Sequence, residues 1–249
     1  MKYDIGICIP ATSKGNSWKV WEDCDLKHSI DSILQTNSTD IKIKFYFCYD
    51  EEDKFYNEVK IRGMIAFDTF TAPTTKKGIT FDTFTHNLQK KGNVVGMWNL
   101  LAERAKDECE YVMATGSDIK YLDNDWIIEA MNSLKKQNNI GVIGLTDLIR
   151  GGENDEKLLF TQSIVHRHHL LIFPTYYPNE LLNWFCDDWI TQVYRINKKD
   201  KMIKHRMINT GGNPRYRPAV EHQKIIADLV DRDSGKLAYW IDLKPRLFN

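Results

Sequence analysis

The chain of 249 residues carries 34 basic and 34 acidic residues, so its formal net charge at neutral pH is zero. Without an overall field to attract nucleic acid or an anionic membrane, any affinity for phosphate must be local. The length suits one α/β domain with a single core, and no apolar run is long enough to span a membrane. We therefore expect a cytoplasmic protein. Its five cysteines, without C-x-x-C spacing, predict buried thiols rather than disulfides or structural zinc.

The first elements alternate between strand and helix. An apolar run over residues 5–9 predicts a buried strand that ends at Pro10, and apolar residues at helical spacing over 26–34 predict an amphipathic helix. Residues 41–49, rich in β-branched and aromatic side chains, predict a second strand that ends at Asp50. Strand, helix and strand in this order indicate a parallel unit.

A short sequence then occurs twice. Phe-Asp-Thr-Phe-Thr stands at 67–71 and again at 81–85, with a linker that contains Pro, Thr, Lys and Gly between the copies. The period-2 alternation of both copies predicts a β-hairpin inserted into the domain. The hairpin is a surface ribbon in the simplest interpretation, and a flap beside the site or a dimer contact in two others.

The alternation continues through the middle of the chain. A strand over 111–115 ends at Asp118, and a helix over 126–136 leads into a strand over 140–145. Carboxylates at the ends of buried strands indicate an α/β fold with a doubly wound, mostly parallel central sheet and a site along one edge.

The last hundred residues break this alternation. We predict a long β-like stretch over 158–173, a helix that reaches Tyr194, a basic loop rich in Gly, Asn and Pro over 204–218, and a final helix over 220–230.

Polar groups at the strand ends fit a phosphorylated ligand. Asp118 lies where open α/β sheets bind ligands, and a carboxylate there can hold a divalent cation against a phosphate. The loop Pro10-Ala11-Thr12-Ser13 offers backbone and hydroxyl donors, and Asp50 can accept a hydrogen bond from a base or a ribose hydroxyl. Asn99 can reach the same pocket. The alternative is that Asp118 only caps a turn.

Four motifs occur in order: Ile-Pro-Ala-Thr-Ser-Lys at 9–14, Tyr-Asp-Glu at 49–51, a helix entry at 92–99, and Val-Met-Ala-Thr-Gly-Ser-Asp at 112–118. This order resembles glycosyltransferases of the GT-A fold, especially family 2-like members of virus or protist type, over about residues 3–195. The resemblance implies a nucleoside diphosphate sugar as donor. It also implies that these residues bind the donor: Pro10, Ala11, Thr12, Ser13, Asp50, Trp98, Asn99, Gly116 and Ser117.

The resemblance makes Asp118 the last residue of an Asp-x-Asp motif, which binds Mn²⁺ or Mg²⁺ bridged to the donor diphosphate. Gly116 stands where the first Asp of that motif would be, so the family's contact to ribose or a second metal is in question here. One carboxylate, together with diphosphate oxygens and water, is an adequate site for either cation. His222 would complete the metal shell.

A second acidic element, Asp187-Asp188 between Trp184 and Trp189, follows about 70 residues after Asp118. In inverting GT-A enzymes an acid at a helix start removes the proton from the attacking hydroxyl, so the resemblance implies that Asp188 or Asp187 is the base. Trp184 and Trp189 would stack on an acceptor sugar, or are ordinary core aromatics. Retention of configuration stays open.

Two basic clusters complete the candidates. Strand alternation within 166–169 separates the histidines between two faces, which favours a polar wall of the acceptor pocket, with His168, over a zinc site. Four further cations fit either a loop that closes over a diphosphate or a solvated loop: His205, Arg206, Arg215 and Arg217.

The sequence therefore predicts a metal-dependent glycosyltransferase that moves a sugar from a UDP or GDP sugar to a hydroxyl of a glycan or glycoconjugate. Residues 1–150 would form the nucleotide-sugar-binding half and 151–249 the acceptor-binding half of one domain. One alternative is a nucleotide-sugar-binding protein without catalysis, which Gly116 keeps open. Another is a sugar-nucleotide nucleotidyltransferase, which the Pro10 loop disfavours because it lacks a Gly-rich, Arg-containing pattern. We expect no nucleic acid partner, a homodimer as one option, and the cytoplasm, including that of a virus-infected host cell.

Overall fold

The computed structural model describes residues 1–37, 40–61, 79–86, 92–149, 159–211 and 221–247. Strands alternate with helices along most of the described chain. The strands are β1 (Tyr3–Ala11), β2 (Ile43–Asp50), β3 (Ile79–His86), β4 (Cys109–Ala114), β5 (Ile119–Tyr121), β6 (Val142–Asp147), β7 (Ser163–His166) and β8 (Asp200–Asn209). The helices are α1 (Asp25–Gln35), α2 (Lys54–Ile61), α3 (Val94–Ala105), α4 (Trp126–Lys136), α5 (His169–Ile172), α6 (Cys186–Ile196) and α7 (His222–Leu247), with a 3₁₀ turn at Trp21–Asp23.

The described strands form one sheet in the order β3-β2-β1-β4-β7-β6-β8-β5. β1, β2, β3 and β4 are parallel, β6 and β8 run in the same direction, and only β7 and β5 of the described strands run against them. The predicted α/β fold with a mostly parallel sheet is therefore confirmed. Because β7 lies between β4 and β6, strands from both halves of the chain interleave in this sheet.

Both faces of the sheet are covered, which explains why its central strands are almost wholly apolar. Alternate residues of β1 point to opposite faces, so Ile5 and Ile7 pack in a core with α1 and α4, whereas Cys8 packs in a second core with α3, α6 and α7. The five cysteines are free and buried, as the sequence predicted. Within the described ranges, no helix combines the length and the apolar character needed to cross a membrane.

The C-terminal half differs from the sequence-based expectation in three places. Within the predicted β-like stretch over 158–173, the described residues 159–173 contain only the short strand β7 and then the helix α5. Residues 204–209, predicted as part of a loop, belong to β8, where Ile203 and Met207 are buried between polar residues that face outward. The final helix α7 continues to Leu247, well beyond the predicted end. Residues 212–220 lie outside the described ranges.

The repeated Phe-Asp-Thr-Phe-Thr sequence is described only in its second copy. Residues 81–85 lie in β3, which pairs in parallel with β2, with Ile43 opposite Ile79 and Asp50 opposite His86. The second copy is thus a strand of the central sheet. The first copy, 67–71, which would form the other strand of the predicted hairpin, lies outside the described residues.

Candidate active site

A cavity of about 400 Å³ lies at the carboxyl ends of β1 and β4, where open α/β sheets bind ligands. Its wall is completed by the residues before β7, the end of β8, and the first turns of α3 and α6. The structure brings ten of the predicted site residues together in this wall: Pro10, Ala11, Thr12, Trp98, Gly116, Ser117, Asp118, Trp184, Asp187 and Asp188.

The carboxylate of Asp118 lies in a slot between two glycines. A Cβ atom added to Gly211 would lie 1.7 Å from Oδ2 of Asp118, and one added to Gly116 would lie 2.7 Å from Oδ1. The backbone is fixed too, because the carbonyl of Asp118 accepts hydrogen bonds from the Thr210 backbone N–H at 2.7 Å and the Thr210 hydroxyl at 3.0 Å. The two residues that follow β8, Thr210 and Gly211, therefore hold Asp118 in place.

The turn before Asp118 is fixed from two sides. The Gly116 N–H donates to Oε1 of Gln162 at 2.9 Å, and the indole N–H of Trp98 donates to the Thr115 carbonyl at 3.1 Å. Gln162 is buried and lines the cavity, yet no motif in the sequence indicates it. Trp98, predicted as a donor-binding residue, thus also holds this turn.

The loop after β1 is fixed by Asp53, a residue that sequence reasoning missed. Its carboxylate accepts hydrogen bonds from the Ser13 N–H at 2.7 Å, the Ser13 hydroxyl at 2.8 Å and the Tyr56 N–H at 3.2 Å. Asp53 directly precedes α2, and Asp at that position is a common helix N-cap, so this signal was present. Ser13 and Asp50, both predicted to bind the nucleotide sugar, do not line the cavity.

The acidic pair opens helix α6. Asp187 and Asp188 lie in its first turn, half-buried, and both line the cavity. The positive end of the helix dipole stabilises carboxylates at this position. The preceding Phe185 has a φ of 71°, a left-handed conformation that costs a non-glycine residue roughly 1–3 kcal/mol and is typical of functional sites. This segment is also tied to α3, since the Val95 N–H donates to the Leu182 carbonyl at 3.0 Å.

The charges of the cavity wall are one-sided. Its described lining includes the carboxylates of Asp118, Asp187 and Asp188 and no Lys or Arg side chain. The first residue of α3 also faces the cavity, and a helix N-terminus favours an anion. Burial raises the pKa of the Cys186 thiol well above its usual range, so this cavity residue is not a thiolate nucleophile at neutral pH.

Two predicted site residues have structural contacts instead. The side chain of Asn99 accepts a hydrogen bond from the Tyr177 N–H at 2.8 Å and donates to the Tyr177 carbonyl at 2.9 Å, which positions the Tyr177 ring in the cavity wall. Trp189 is 1% exposed, and its indole N–H donates to Asp233 at 3.1 Å. Neither Asn99 nor Trp189 lines the cavity.

The predicted histidines do not line the cavity. β7 runs against β4, so His166 lies opposite Tyr111 near the start of β4, and the ring of His168 is 4.0 Å from that of His166, measured between centroids. His168 is therefore at the other end of these strands. His222, the first residue of α7, is buried but does not line the cavity.

Asp118 is the residue of the cavity wall that the sequence predicted to bind a metal ion. No group of three or more His, Cys, Asp or Glu side chains in the described ranges is arranged to hold a metal ion. Mg²⁺ and Mn²⁺ are often bound by one or two carboxylates and substrate phosphates, so Asp118 in its slot fits such a cation. His205 and Arg206 pair with Glu129 and Asp123. Arg215 and Arg217 lie outside the described residues.

Comparison with known proteins shows the fold. No family model and no curated protein matches the sequence. Two solved structures of S. aureus TarS residues 1–349, in complex with UDP and with UDP-GlcNAc, are similar at TM-scores of 0.60 and 0.61 and 12% identity, over 92% of this chain. The chain spans 65% and 66% of those two structures. A putative glucose-1-phosphate thymidylyltransferase from Bacillus anthracis, in complex with a sucrose, is similar at a TM-score of 0.54 and 12% identity, over 92% of this chain and 95% of that one.

Proposed function

We propose that the protein is a metal-dependent glycosyltransferase of the GT-A fold, which moves a sugar from a nucleoside diphosphate sugar to a hydroxyl of a glycan or glycoconjugate. The observation that carries the proposal is that Asp118 and the pair Asp187 and Asp188, far apart in sequence, line one cavity with the loop after β1. Solved structures of similar fold hold UDP and UDP-GlcNAc, which supports a UDP sugar as donor. A GDP sugar is the alternative donor.

The charge of the cavity supports a requirement for Mn²⁺ or Mg²⁺. Three carboxylates without a basic side chain in the described lining would repel a diphosphate, and a bound cation would offset that charge. A bound cation neutralises the charge that develops on the departing diphosphate. Asp118 would hold it; His222, which the resemblance implies as a second ligand, does not line the cavity.

The acceptor would enter beside α6. Asp188 or Asp187 takes the proton of the acceptor hydroxyl while the hydroxyl oxygen attacks the anomeric carbon of the donor sugar. The bond from that carbon to the diphosphate breaks, and the nucleoside diphosphate leaves. A single displacement of this kind inverts the anomeric centre. Trp184 lines the cavity and is 37% exposed, so its ring is available to stack on an acceptor sugar.

A sugar-nucleotide nucleotidyltransferase is the second candidate. The similarity to the putative thymidylyltransferase favours it, since nearly the whole of both chains is matched. The loop after β1 argues against it, because Pro10-Ala11-Thr12-Ser13-Lys14 lacks a glycine-rich pattern. The two activities differ in their products: the transferase releases nucleoside diphosphate, and the nucleotidyltransferase releases pyrophosphate from a nucleoside triphosphate and a sugar phosphate.

Binding and turnover assays together test the proposal. Calorimetric titration of UDP and GDP with and without Mn²⁺ should show binding that depends on the metal. Incubation with a panel of nucleotide sugars should reveal one donor from which nucleoside diphosphate is slowly released. Asp118→Asn should abolish the Mn²⁺-dependent binding of the nucleotide. Asp188→Asn or Asp187→Asn should abolish turnover and leave nucleotide binding intact. The matched control is Asp242→Asn, an exposed position on α7. Full activity in all the site variants would refute the assigned roles, and metal-dependent binding without turnover would indicate a binding protein.

A further inference from the structure

The side-chain amide of Gln162 uses its oxygen in a hydrogen bond to the Gly116 turn and has its nitrogen left to donate. Its Oε1 accepts the Gly116 N–H at 2.9 Å, and because a backbone N–H can only donate, the oxygen must face Gly116 and the amide nitrogen must point elsewhere. Gln162 is 5% exposed and lines the cavity. The carboxamide is thus held in a single orientation.

The amide nitrogen of Gln162 makes no hydrogen bond within the part of the chain that the structure describes. The side chain of Gln162 is nearly buried, and it lines the cavity. An immobilised NH₂ group, with two donors to offer, therefore opens onto the site.

The position of Gln162 in the sheet indicates what it meets. β4 lies between β1 and β7, and Gln162 directly precedes Ser163, which lies opposite Ala114 at the end of β4. Neighbouring strands are about 4.8 Å apart, so Gln162 is about 10 Å across the sheet from the end of β1. In the proposed function the nucleoside occupies the β1 side and the diphosphate lies at Asp118. The sugar then falls on the β7 side, between Asp118 and the acidic pair of α6.

We propose that the side-chain amide nitrogen of Gln162 donates a hydrogen bond to an oxygen of the transferred sugar, a ring hydroxyl or an acyl carbonyl, and so determines which sugar is accepted. This inference rests on the proposed function. A site built to donate to a substrate oxygen discriminates strongly against an analogue without it, because the buried donor would then stay unpaired. Gln162 has this character: the Gly116 bond fixes it and burial limits its other partners.

Two substitutions separate recognition of the sugar from support of the Gly116 turn. Gln162→Glu keeps an oxygen to accept the Gly116 N–H and replaces the donor by an acceptor, whereas Gln162→Met removes both interactions at similar volume. Gln35→Glu is the matched control, since Gln35 is exposed at the end of α1. Calorimetry at pH 8 with Mn²⁺ measures each variant with UDP, UDP-glucose, UDP-galactose and UDP-GlcNAc, and with GDP and GDP-mannose.

The readout is the Kd of the free nucleotide divided by the Kd of the corresponding nucleotide sugar, for example UDP against UDP-GlcNAc. We expect this ratio to fall about tenfold in Gln162→Glu and Gln162→Met for the preferred sugar, and to be unchanged in Gln35→Glu. At pH 8 the free nucleotide carries one more negative charge than its sugar ester, so the uncharged Gln162→Met variant checks that the change in the ratio is not an effect of the new carboxylate. If the glutamate variant does not fold, Gln162→Met must lower the ratio and leave the Kd of the nucleotide itself unchanged, because a displaced Gly116 turn would weaken nucleotide binding as well.

Three results would overturn the inference. An unchanged ratio in both variants would remove Gln162 from sugar recognition and leave the proposed function intact. A ratio that falls only in Gln162→Met would show that Gln162 acts through the Gly116 turn. Failure of the unsubstituted protein to bind any of these nucleotides or sugars with Mn²⁺ would refute the proposed function itself.

Discussion

Gly211→Ala should displace the carboxylate of Asp118 without a large change in the fold. The added Cβ would lie 1.7 Å from Oδ2, 2.5 Å from Cγ and 2.9 Å from Cβ of Asp118, so the whole side chain is in the way. The backbone of Asp118 cannot easily retreat, because Thr210 binds its carbonyl twice. Asp118 must therefore leave its rotamer, at a cost of about 0.5–1.5 kcal/mol.

A displaced carboxylate should bind the cation poorly. Misorientation of a metal ligand typically costs about 10- to 100-fold in affinity, and we expect a loss of that size for Mn²⁺ in the presence of UDP. The free energy of unfolding should fall by only about 1 kcal/mol, which lowers the melting temperature by roughly 2–4 °C in a chain of this size. Electron paramagnetic resonance of Mn²⁺ measures the first quantity, and calorimetric melting measures the second.

Gly235→Ala is the matched control for this experiment. No heavy atom lies within 4 Å of a Cβ added at Gly235, which lies on the exposed side of α7. Replacing a glycine inside a helix by alanine stabilises by about 0.5–1 kcal/mol, so this variant should melt slightly higher and bind Mn²⁺ as the unsubstituted protein does. Normal Mn²⁺ affinity in Gly211→Ala would refute the reasoning, because the crowded carboxylate would then not be the ligand.

Three further predictions follow from other contacts. Gly116→Asp restores the Asp-x-Asp pattern, yet it should weaken the Mn²⁺-dependent binding of UDP, measured by calorimetry. The reason is that the new Cβ would lie 2.7 Å from Oδ1 of Asp118. Tighter binding would show that this close contact does not displace the carboxylate. Asp53→Ala should destabilise the protein by about 1–2 kcal/mol in urea titration and weaken UDP binding, since it removes the partner of the Ser13 loop and a helix cap, whereas unchanged stability would show that the cap is dispensable. Burial lowers the pKa of His169 from 6.5 to about 4, so the neutral ring is favoured in the fold and the unfolded chain takes up a proton first as the pH falls. Its stabilising contribution is present above pH 6.5 and is lost towards pH 4; between pH 7 and pH 5 the unsubstituted protein should lose about 2 kcal/mol more than His169→Gln in urea titrations, and equal losses would refute the shift.

The early strands and helices were predictable because their signal is local. The buried strand β1, the helix α1 and the strand β2 each carry an apolar pattern of their own period, and that pattern survives whatever packs against it. The strand β8 was missed for the opposite reason. Its outward residues are basic and polar, among them His205 and Arg206, so the sequence resembles a loop until β5 and β6 supply the hydrogen bonds.

Some residues of the candidate site were predictable from the sequence, and others were not. Strand-end position selected Asp118 and the family resemblance selected the pair at 187–188; the structure brings these acids to one cavity, although their roles stay predictions. Nothing local indicated that His168 would lie at the far end, because that depends on β7 running against β4.

The sequence by itself determined the class of fold and the acids at the ends of its strands, since both depend on periodicity and on the chemistry of single residues. Only the tertiary structure decided which distant residues shape those acids. Gly211 packs against Asp118, Gln162 receives the Gly116 N–H, and Asp53 holds Ser13. Each of these contacts joins segments at least 40 residues apart, and such a contact forms only when strand order and direction are set.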